Sequence, residues 1–362
     1  MEKKAYKPNI AIHPGETLEE TLEALGMTQS ELSDRTGLSR KTINEIVQKK
    51  SPITLETAIK FGAVFGMSPD FWNNLQRNYE ETLMRLRNAE AIEGEVPLLK
   101  KFECYNELVF WKYVEKTTDP KEKVKNLLNF FGISSLKFVP TVQAIAFRQT
   151  KKKKISKESL AAWLRCGEIE ASKQKTQDFD KEKLKNSINS LRTLTKKMPE
   201  EFSKKLIEIC SSFGVAVAFV PYFKKTHVNG ATKWITPNKA LIQLSSKGKS
   251  DDIFWFSFFH EMGHLVKHGK KEQFVEFDYK KEGVYEEKEQ EADDFASNTL
   301  IPKGNYVEFL KEKDFSIESI KAFAEKLDIA SSIVAGRLSY DTGEWKRWSR
   351  LRKRLEFKRE KT

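Results

Sequence analysis

A mainly helical chain with a small α+β part toward its carboxyl end is the fold class this sequence predicts, and three observations carry it. Five short helical stretches with turn signals between them crowd into the first ninety residues. Longer amphipathic stretches follow, with little chemistry in them. Then "GVAVAFVPY" and "ALIQLSS" show the apolar, β-branched density of buried strands, and a helix bearing "FFHEMGHLVKHG" comes directly behind them.

At 362 residues the chain is long enough for two or three domains. The expected division is 8–90, a helical connector or sensing segment at 91–204, an α+β domain at 205–340, and a basic tail at 341–362. The start "MEKKAYKPNIAIHPGE" has no apolar centre. The longest apolar runs, "GVAVAFV" and "IFWFSFF", fall far short of the roughly 20 residues that cross a bilayer, so no membrane partner is expected. Cys104, Cys166 and Cys210 form no CxxC pair or disulfide framework, which points to a reduced cytoplasm.

In the front segment, helices are expected at 16–25, 28–36, 39–49, 54–66 and 69–90. Gly26, Gly37, "KKSP" and "GMSP" punctuate them, and Thr28, Ser39, Thr54 and Ser68 stand at N-cap positions. Glu31, three residues after Thr28, completes a capping-box pattern. Residues 28–50, "TQSELSDRTGLSRKTINEIVQKK", lay out helix, turn at Gly37, and second helix. Leu32, Leu38, Ile43 and Ile46 are spaced to weld the two. The early second-helix positions Ser39, Arg40, Lys41 and Asn44 suit base edges, and Thr28 and Gln29 suit phosphates. An ordinary helical hairpin with solvated polar faces is the plainer reading of the same spacing.

This pattern resembles the XRE-type, lambda-repressor-like domain over about residues 8–80. "IHPGETLEETLEALGMTQSEL" is especially similar to the opening of HigA-type antitoxins. The resemblance implies operator DNA as a partner and a cognate toxin as another. Charge adds little here: the net +12 lies elsewhere, since residues 1–90 hold about 12 basic and 13 acidic side chains. Weak non-specific attraction is expected, so a homodimer or basic middle segments would have to add phosphate contacts. The run "KKKK" at 151–154 reads as a solvated loop.

Between 91 and 204, "ESLAAWLRCGEIEASKQ" and "DKEKLKNSINSLRTLTKKM" are long amphipathic helices, with interruptions at "TTDPKEK" and "FVPTV". Behind them, "NGATKWI" reads as an edge strand between the two buried ones. Asp251 and Asp252 then open the helix that contains the histidines.

Three of the five histidines lie in that helix. His260 and His264 are i and i+4, on one face and about 6 Å apart along the axis, so both rings reach one ion. Glu261 is placed to take a proton from water at that ion rather than to ligate it. His268 lies about 12 Å along the axis from His260, too far for the same ion, and reads as a helix-end or supporting residue. Lys267 and Lys270 also break the longer three-histidine pattern. A catalytic zinc wants a third protein ligand and an open position. The stretch "EEKEQEADDFASNTLIP" at 286–302 is a second helix with Ala292, Phe295, Ala296, Thr299 and Leu300 at helical spacing. Glu291, Glu287 and Asp294 all stand near its inward face, and periodicity leaves the choice among them open.

"HEMGH" followed by "EADDFASNTLIP" resembles the ImmA/IrrE zinc metallopeptidases, with "TLIP" departing from the family's usual leucine-rich ending. Roughly residues 205–340 are covered. The resemblance implies a zincin-like α+β fold, one Zn2+ per chain on His260, His264 and Glu291, and Glu261 as general base. Tyr222, Tyr306 and His227 are further candidates without an assignable role. "SIESIKAFAEKLDIASSIVAGRL" at 316–338 reads as helices packed on this domain rather than as a second DNA reader. The expected function is a DNA-binding regulator whose zinc endopeptidase hydrolyses a protein partner such as a repressor. The rival is an antitoxin-like autorepressor that binds toxin and operator without proteolysis.

Overall fold

The computed structural model describes residues 9–139, 155–246, 250–269, 274–277 and 284–355. The lysine run at 151–154 and the end of the tail, 356–362, lie outside them. The chain divides into two compact units, with the boundary after Pro97.

The first unit contains α1 (Pro14–Leu25), α2 (Gln29–Thr36), α3 (Arg40–Val47), α4 (Leu55–Phe65) and α5 (Pro69–Glu95). Every N-cap read from the sequence caps its helix: Thr28, Ser39, Thr54 and Ser68 accept from the backbone N–H of Glu31, Thr42, Thr57 and Asp70. The capping box is half made, because Glu31 turns its carboxylate to Arg35 Nη2 at 2.5 Å. Helix α1 starts earlier than expected. His13 caps it, its Nδ1 accepting from Gly15 N–H at 2.9 Å. A Cβ on Gly15 would stand 2.0 Å from the Ile46 carbonyl oxygen, so α1 can approach α3 only with glycine there. Leu18, Leu22, Leu32, Ile43, Ile46, Phe61 and Trp72 form the core, with Leu38 packed at its edge.

The second unit runs through α6 (Tyr105–Phe110), α7 (Pro120–Phe131), α8 (Lys157–Lys173), α9 (Lys181–Thr193) and α10 (Pro199–Ser212) into a four-stranded sheet. Its strands are β1 (Val215–Val220), β2 (Val228–Thr236), β3 (Lys239–Ser245) and β4 (Phe274–Phe277), in the order β1-β3-β2-β4. β1 and β3 pair in parallel, Val215 opposite Ala240 through Val220 opposite Ser245. β2 is antiparallel to both β3 and β4. The expected edge strand is therefore an inner one, because β4 pairs along its free side.

Five helices follow or interleave: α11 (Asp251–Lys267), α12 (Val284–Leu300), α13 (Lys303–Glu312), α14 (Ile317–Lys326) and α15 (Ser331–Thr342). Alternation along β3 assigns the two faces of the sheet. Ala240, Ile242 and Leu244 join Trp255, Phe258, Phe259 and Met262 of α11 in one core. Gln243 points the other way, donating to the Trp163 carbonyl of α8 at 2.6 Å. Gly167 leaves room for it: a Cβ there would lie 1.9 Å from Gln243 Oε1. The middle helices are thus not a separate connector, since α8 forms the layer on the sheet's second face. Helices α14 and α15 bury Ile320, Phe323, Val334 and Leu338 in the same core as α11, the packing role expected of 316–338.

The basic tail is also partly structural. Trp348 is buried, and its Nε1 donates to the Phe315 carbonyl at 3.0 Å. Beyond it the chain crosses the start of α11. Lys353 N–H donates to Asp251 Oδ1 at 2.8 Å, Ser332 Oγ donates to Asp251 Oδ2 at 2.7 Å, and Arg352 Nε lies 3.0 Å from Asp252 Oδ2. Burial pushes the Asp251 carboxyl up from its ordinary range, against those hydrogen bonds. All three cysteines are buried, and burial lifts the Cys104 thiol to about 12, which leaves it a packing residue rather than a nucleophile. Among the described residues no helix is long and apolar enough to cross a membrane.

Candidate metal centre and DNA-reading helices

The centre is built where α11 and α12 touch most closely. Gly263 of "HEMGH" faces Ala292 of "EADDFA": a Cβ on Gly263 would sit 3.1 Å from Ala292 Cα. Two small residues let the backbones meet, and the aromatic run preceding them seats α11 in the core.

On that scaffold His260 Nε2 and His264 Nε2 lie 3.1 Å apart, both rings only 2% exposed. The carboxylate that joins them belongs to Glu289. Its Oε2 is 3.3 Å from His260 Nε2 and its Oε1 is 3.8 Å from His264 Nε2. Together the ligand atoms of His260, His264 and Glu289 fall within 4.8 Å of one another. Glu291, expected as the third ligand, is turned elsewhere: its Oε2 is 2.9 Å from His268 Nε2. Helical phase explains the difference. Glu289 is three and seven residues before Ala292 and Ala296, on their face. Glu291 directly precedes Ala292 and projects about 100° away from it. Ala292 and Ala296 were already the inward markers in the sequence, so counting back by three and seven from them would have found Glu289.

The donor set fits a cation. Asp293 Oδ1 lies 2.7 Å from His260 Nδ1, on the side of the ring away from the cluster, so a proton shared there leaves Nε2 to face a cation. Two buried imidazole nitrogens and a carboxylate are the donors zinc takes, with a fourth position left for solvent or substrate. Asp293 was not anticipated from the sequence.

Glu261 is fully buried and is not one of the three residues of the donor cluster. Thr232 Oγ1 is 2.6 Å from its Oε2, and the absence of a side chain at Gly230 leaves it space, since a Cβ there would lie 2.7 Å from Glu261 Oε1. Gly230 and Thr232 are alternate residues on one face of β2, so the strand holds the carboxylate in place. Nothing about "NGAT" in isolation marks these two.

His268 caps α11 and folds back on it. Its Nδ1 is 3.0 Å from His264 Nδ1, and Phe274 of β4 stacks on the His264 ring at 3.9 Å. This is the supporting place expected of it. Tyr306, a candidate helper, donates its hydroxyl to Asp341 Oδ2 at 2.6 Å instead. Beside the centre is a cavity of about 690 Å³, lined among others by Asn229, Phe256, Ser257, Asp293 and Arg337. Asp293 is thus both the partner of His260 and a wall of this cavity.

In the first unit, Arg40, Lys41 and Asn44 are exposed on the opening turns of α3. Gln29, half-buried, opens α2. Thr28 and Ser39 are exposed, but their hydroxyls already cap α2 and α3. Asn44 Oδ1 accepts from Gln48 Nε2 at 3.3 Å.

Comparison with known proteins matches both ends of the chain. The helix-turn-helix family model aligns with residues 18–72, and the IrrE N-terminal-like domain with residues 210–339. Virulence-associated protein I of Dichelobacter nodosus is 36% identical over 89 residues, 24% of this chain and 82% of that protein. Antitoxin HigA-1 of Vibrio cholerae is 31% identical over 104 residues, 28% of this chain and 95% of its own length. The structure of the Pseudomonas aeruginosa antitoxin HigA with higBA promoter is 34% identical, covers 24% of this chain and 95% of that one, and has a TM-score of 0.23. The chain therefore belongs to the helix-turn-helix regulators related to HigA antitoxins and carries an IrrE N-terminal-like, metallopeptidase-type domain behind that unit.

Proposed function

We propose that this protein is a cytoplasmic DNA-binding regulator whose second unit is a zinc endopeptidase acting on a protein partner, a repressor being the fitting class. The convergence of His260, His264 and Glu289 beside a buried, strand-held Glu261 carries the reading. A bound zinc ion supplies Lewis acidity that polarises a peptide carbonyl and makes nearby water easier to deprotonate. Glu261 accepts that proton and returns it to the leaving amine, while Thr232 and Gly230 keep its carboxylate in one orientation. Asp293 holds the His260 ring from its Nδ1 side, leaving Nε2 to the cation. The adjoining cavity gives a polypeptide segment room beside the ligands.

Arg40, Lys41 and Asn44 are the base-reading set in this proposal, with Gln29 and the capped amino ends of α2 and α3 on phosphates. A homodimer supplies the phosphate contacts that one nearly neutral unit lacks.

The test compares full-length wild type with Glu261→Gln, each assayed for bound zinc and for new peptide termini in a defined mixture of cytoplasmic proteins. Equal zinc with cleavage by wild type only supports the proposal. Stoichiometric zinc with equal cleavage by both removes Glu261 from its role. The relation to Antitoxin HigA-1 favours a second reading, an antitoxin that binds a toxin and its operator while zinc stabilises the fold. Zinc without cleavage, and Glu261→Gln indistinguishable in regulation, would select that one.

A further inference from the structure

The cavity beside the centre has two unlike walls. Ile253 and Phe256 of α11 and Ile333 and Tyr340 of α15 make one of them apolar. Gln290, Asp293, Asp294 and Ser297, on one face of α12, make the other polar and acidic. Phe256 lies one turn before His260 and Ile253 two turns before it, so the lining extends about 10 Å along α11 from the donor cluster. A side chain leaving a polypeptide at the centre therefore passes between both walls.

The charges on this lining do not balance. Asp252 is matched by Arg352, whose Nε is 3.0 Å from Asp252 Oδ2. Arg337 is matched by Asp341, with 3.1 Å between its Nε and Asp341 Oδ2, and its Nη1 donates to Ser297 Oγ at 3.0 Å. The Asp293 carboxylate has only the His260 ring, and that of Asp294 only the Gln290 amide at 3.1 Å. Neither faces a lysine or an arginine among the described residues. Ser257, on the α11 wall one turn before His260, is buried, and its hydroxyl has no hydrogen-bond partner among the described residues.

One kind of side chain answers all of this. An apolar one would shut Asp293 away from water with no cation against it, and an acidic one would add repulsion. A lysine or arginine lays its aliphatic stem on the apolar wall and brings N–H donors to the carboxylates. The chain shows the pairing itself where Asp252 and Trp345 line the same cavity. There Arg352 meets Asp252 and sets its guanidinium over the Trp345 ring, Cζ 5.3 Å from the centroid.

We infer that this cavity is the subsite for a lysine or arginine side chain of the polypeptide acted on, with Asp293 and Asp294 as charge partners and Phe256 and Tyr340 along its stem. The inference rests on the peptidase reading for calling that polypeptide a substrate, whereas the recognition itself needs neither zinc nor cleavage.

The test titrates metal-free full-length protein with N-acetyl-arginine methylamide, and with its norleucine and glutamate counterparts, following the Trp345 indole N–H and the Tyr340 ring by NMR. The arginine probe should shift both signals, the norleucine probe should bind roughly 5–10-fold more weakly, and the glutamate probe should not bind. Asp294→Asn should weaken the arginine probe about 2–5-fold, as loss of one exposed ion pair does, and Asp294→Lys should weaken it further. Asp294 is exposed, so both variants keep the fold, and Glu308→Lys, outside the cavity, should change nothing. On a peptide mixture, wild type should cut beside lysine or arginine, and Asp294→Lys should lose that preference with its zinc content unchanged. Norleucine bound as tightly as arginine, no binding of the arginine probe, or an arginine affinity untouched by Asp294→Lys would overturn the subsite. A wild type that takes up no zinc and cuts nothing sinks the peptidase reading instead, and the titration still decides whether the cavity takes a cationic side chain.

Discussion

Replacing Gly263 by alanine tests whether the contact between α11 and α12 sets the metal geometry. The added methyl meets Ala292 Cα at 3.1 Å, Phe295 Cδ1 at 3.2 Å and the Ala292 carbonyl oxygen at 3.3 Å, two of the three being backbone atoms that cannot rotate away. Overpacking of this kind costs about 1–3 kcal/mol. The better helix propensity of alanine returns roughly 0.5–1 kcal/mol, leaving a net loss on the order of 1–2 kcal/mol. For a domain of this size that lowers the unfolding temperature by roughly 2–4 °C per kcal/mol. Gly304 provides the comparison, because a Cβ there meets nothing within 4 Å. Gly304→Ala should stabilise by about 0.4–1 kcal/mol. Calorimetry on both variants gives the stability difference, and zinc titration gives the functional one. His260 and His264 flank the widened contact while Glu289 sits across it, so zinc binding must weaken in Gly263→Ala and stay unchanged in Gly304→Ala. If Gly263→Ala stabilises as Gly304→Ala does and binds zinc as wild type does, the close approach does not hold the ligands together.

Three other outcomes are expected. Glu289→Ala should reduce zinc affinity far more than Glu291→Ala, and the reverse order in a chelator competition would restore the sequence-based choice of third ligand. Burial, reinforced by Lys49 and opposed by Glu16, holds the His13 imidazole below its ordinary 6.5. As pH falls past that value the unfolded chain takes up the proton first, so the stability His13 contributes is full above 6.5 and is lost as pH drops through the lower folded value. Urea unfolding of the chain followed through the aromatic signals of the first unit should show that slope, and His13→Gln should flatten it. Finally, Arg40→Ala and Asn44→Ala should each cost about 1–3 kcal/mol on a duplex selected by wild type and far less on random duplex, read by gel shift at fixed salt.

The front unit was nearly all legible, because its signals are local. Each cap acts within three residues of itself, and Gly26, Gly37 and Gly66 each adopt the left-handed conformation that ends a helix. The pair His260 and His264 was legible for the same reason, being fixed by one helical turn. Glu289 stayed hidden because the family resemblance put the third ligand on Glu291, whereas helical phase sets Glu289 on the face of Ala292 and Ala296. Thr232 and Gly230 were out of reach, since their role exists only once β2 lies across α11, a contact made by the whole sheet. The edge-strand expectation for β2 failed for a related reason: β4 lies beyond the histidine helix in sequence, and four residues of "FVEF" carry too weak a pattern to announce a strand. The segment at 91–204 looked like a connector because its helices lack chemistry, yet Gly167 makes room for Gln243 and Trp163 hydrogen-bonds to the sheet.

The carboxylates of Asp251 and Asp252 at the head of α11 are matched by groups at 352–353, about a hundred positions later in the chain. During synthesis on the ribosome those two acids emerge long before their counterparts do. Seating them without compensation would cost several kcal/mol, so the nascent helix has every reason to wait. The helix that carries the histidines is therefore held at its head by groups about a hundred positions away, and its seating depends on that long-range closure.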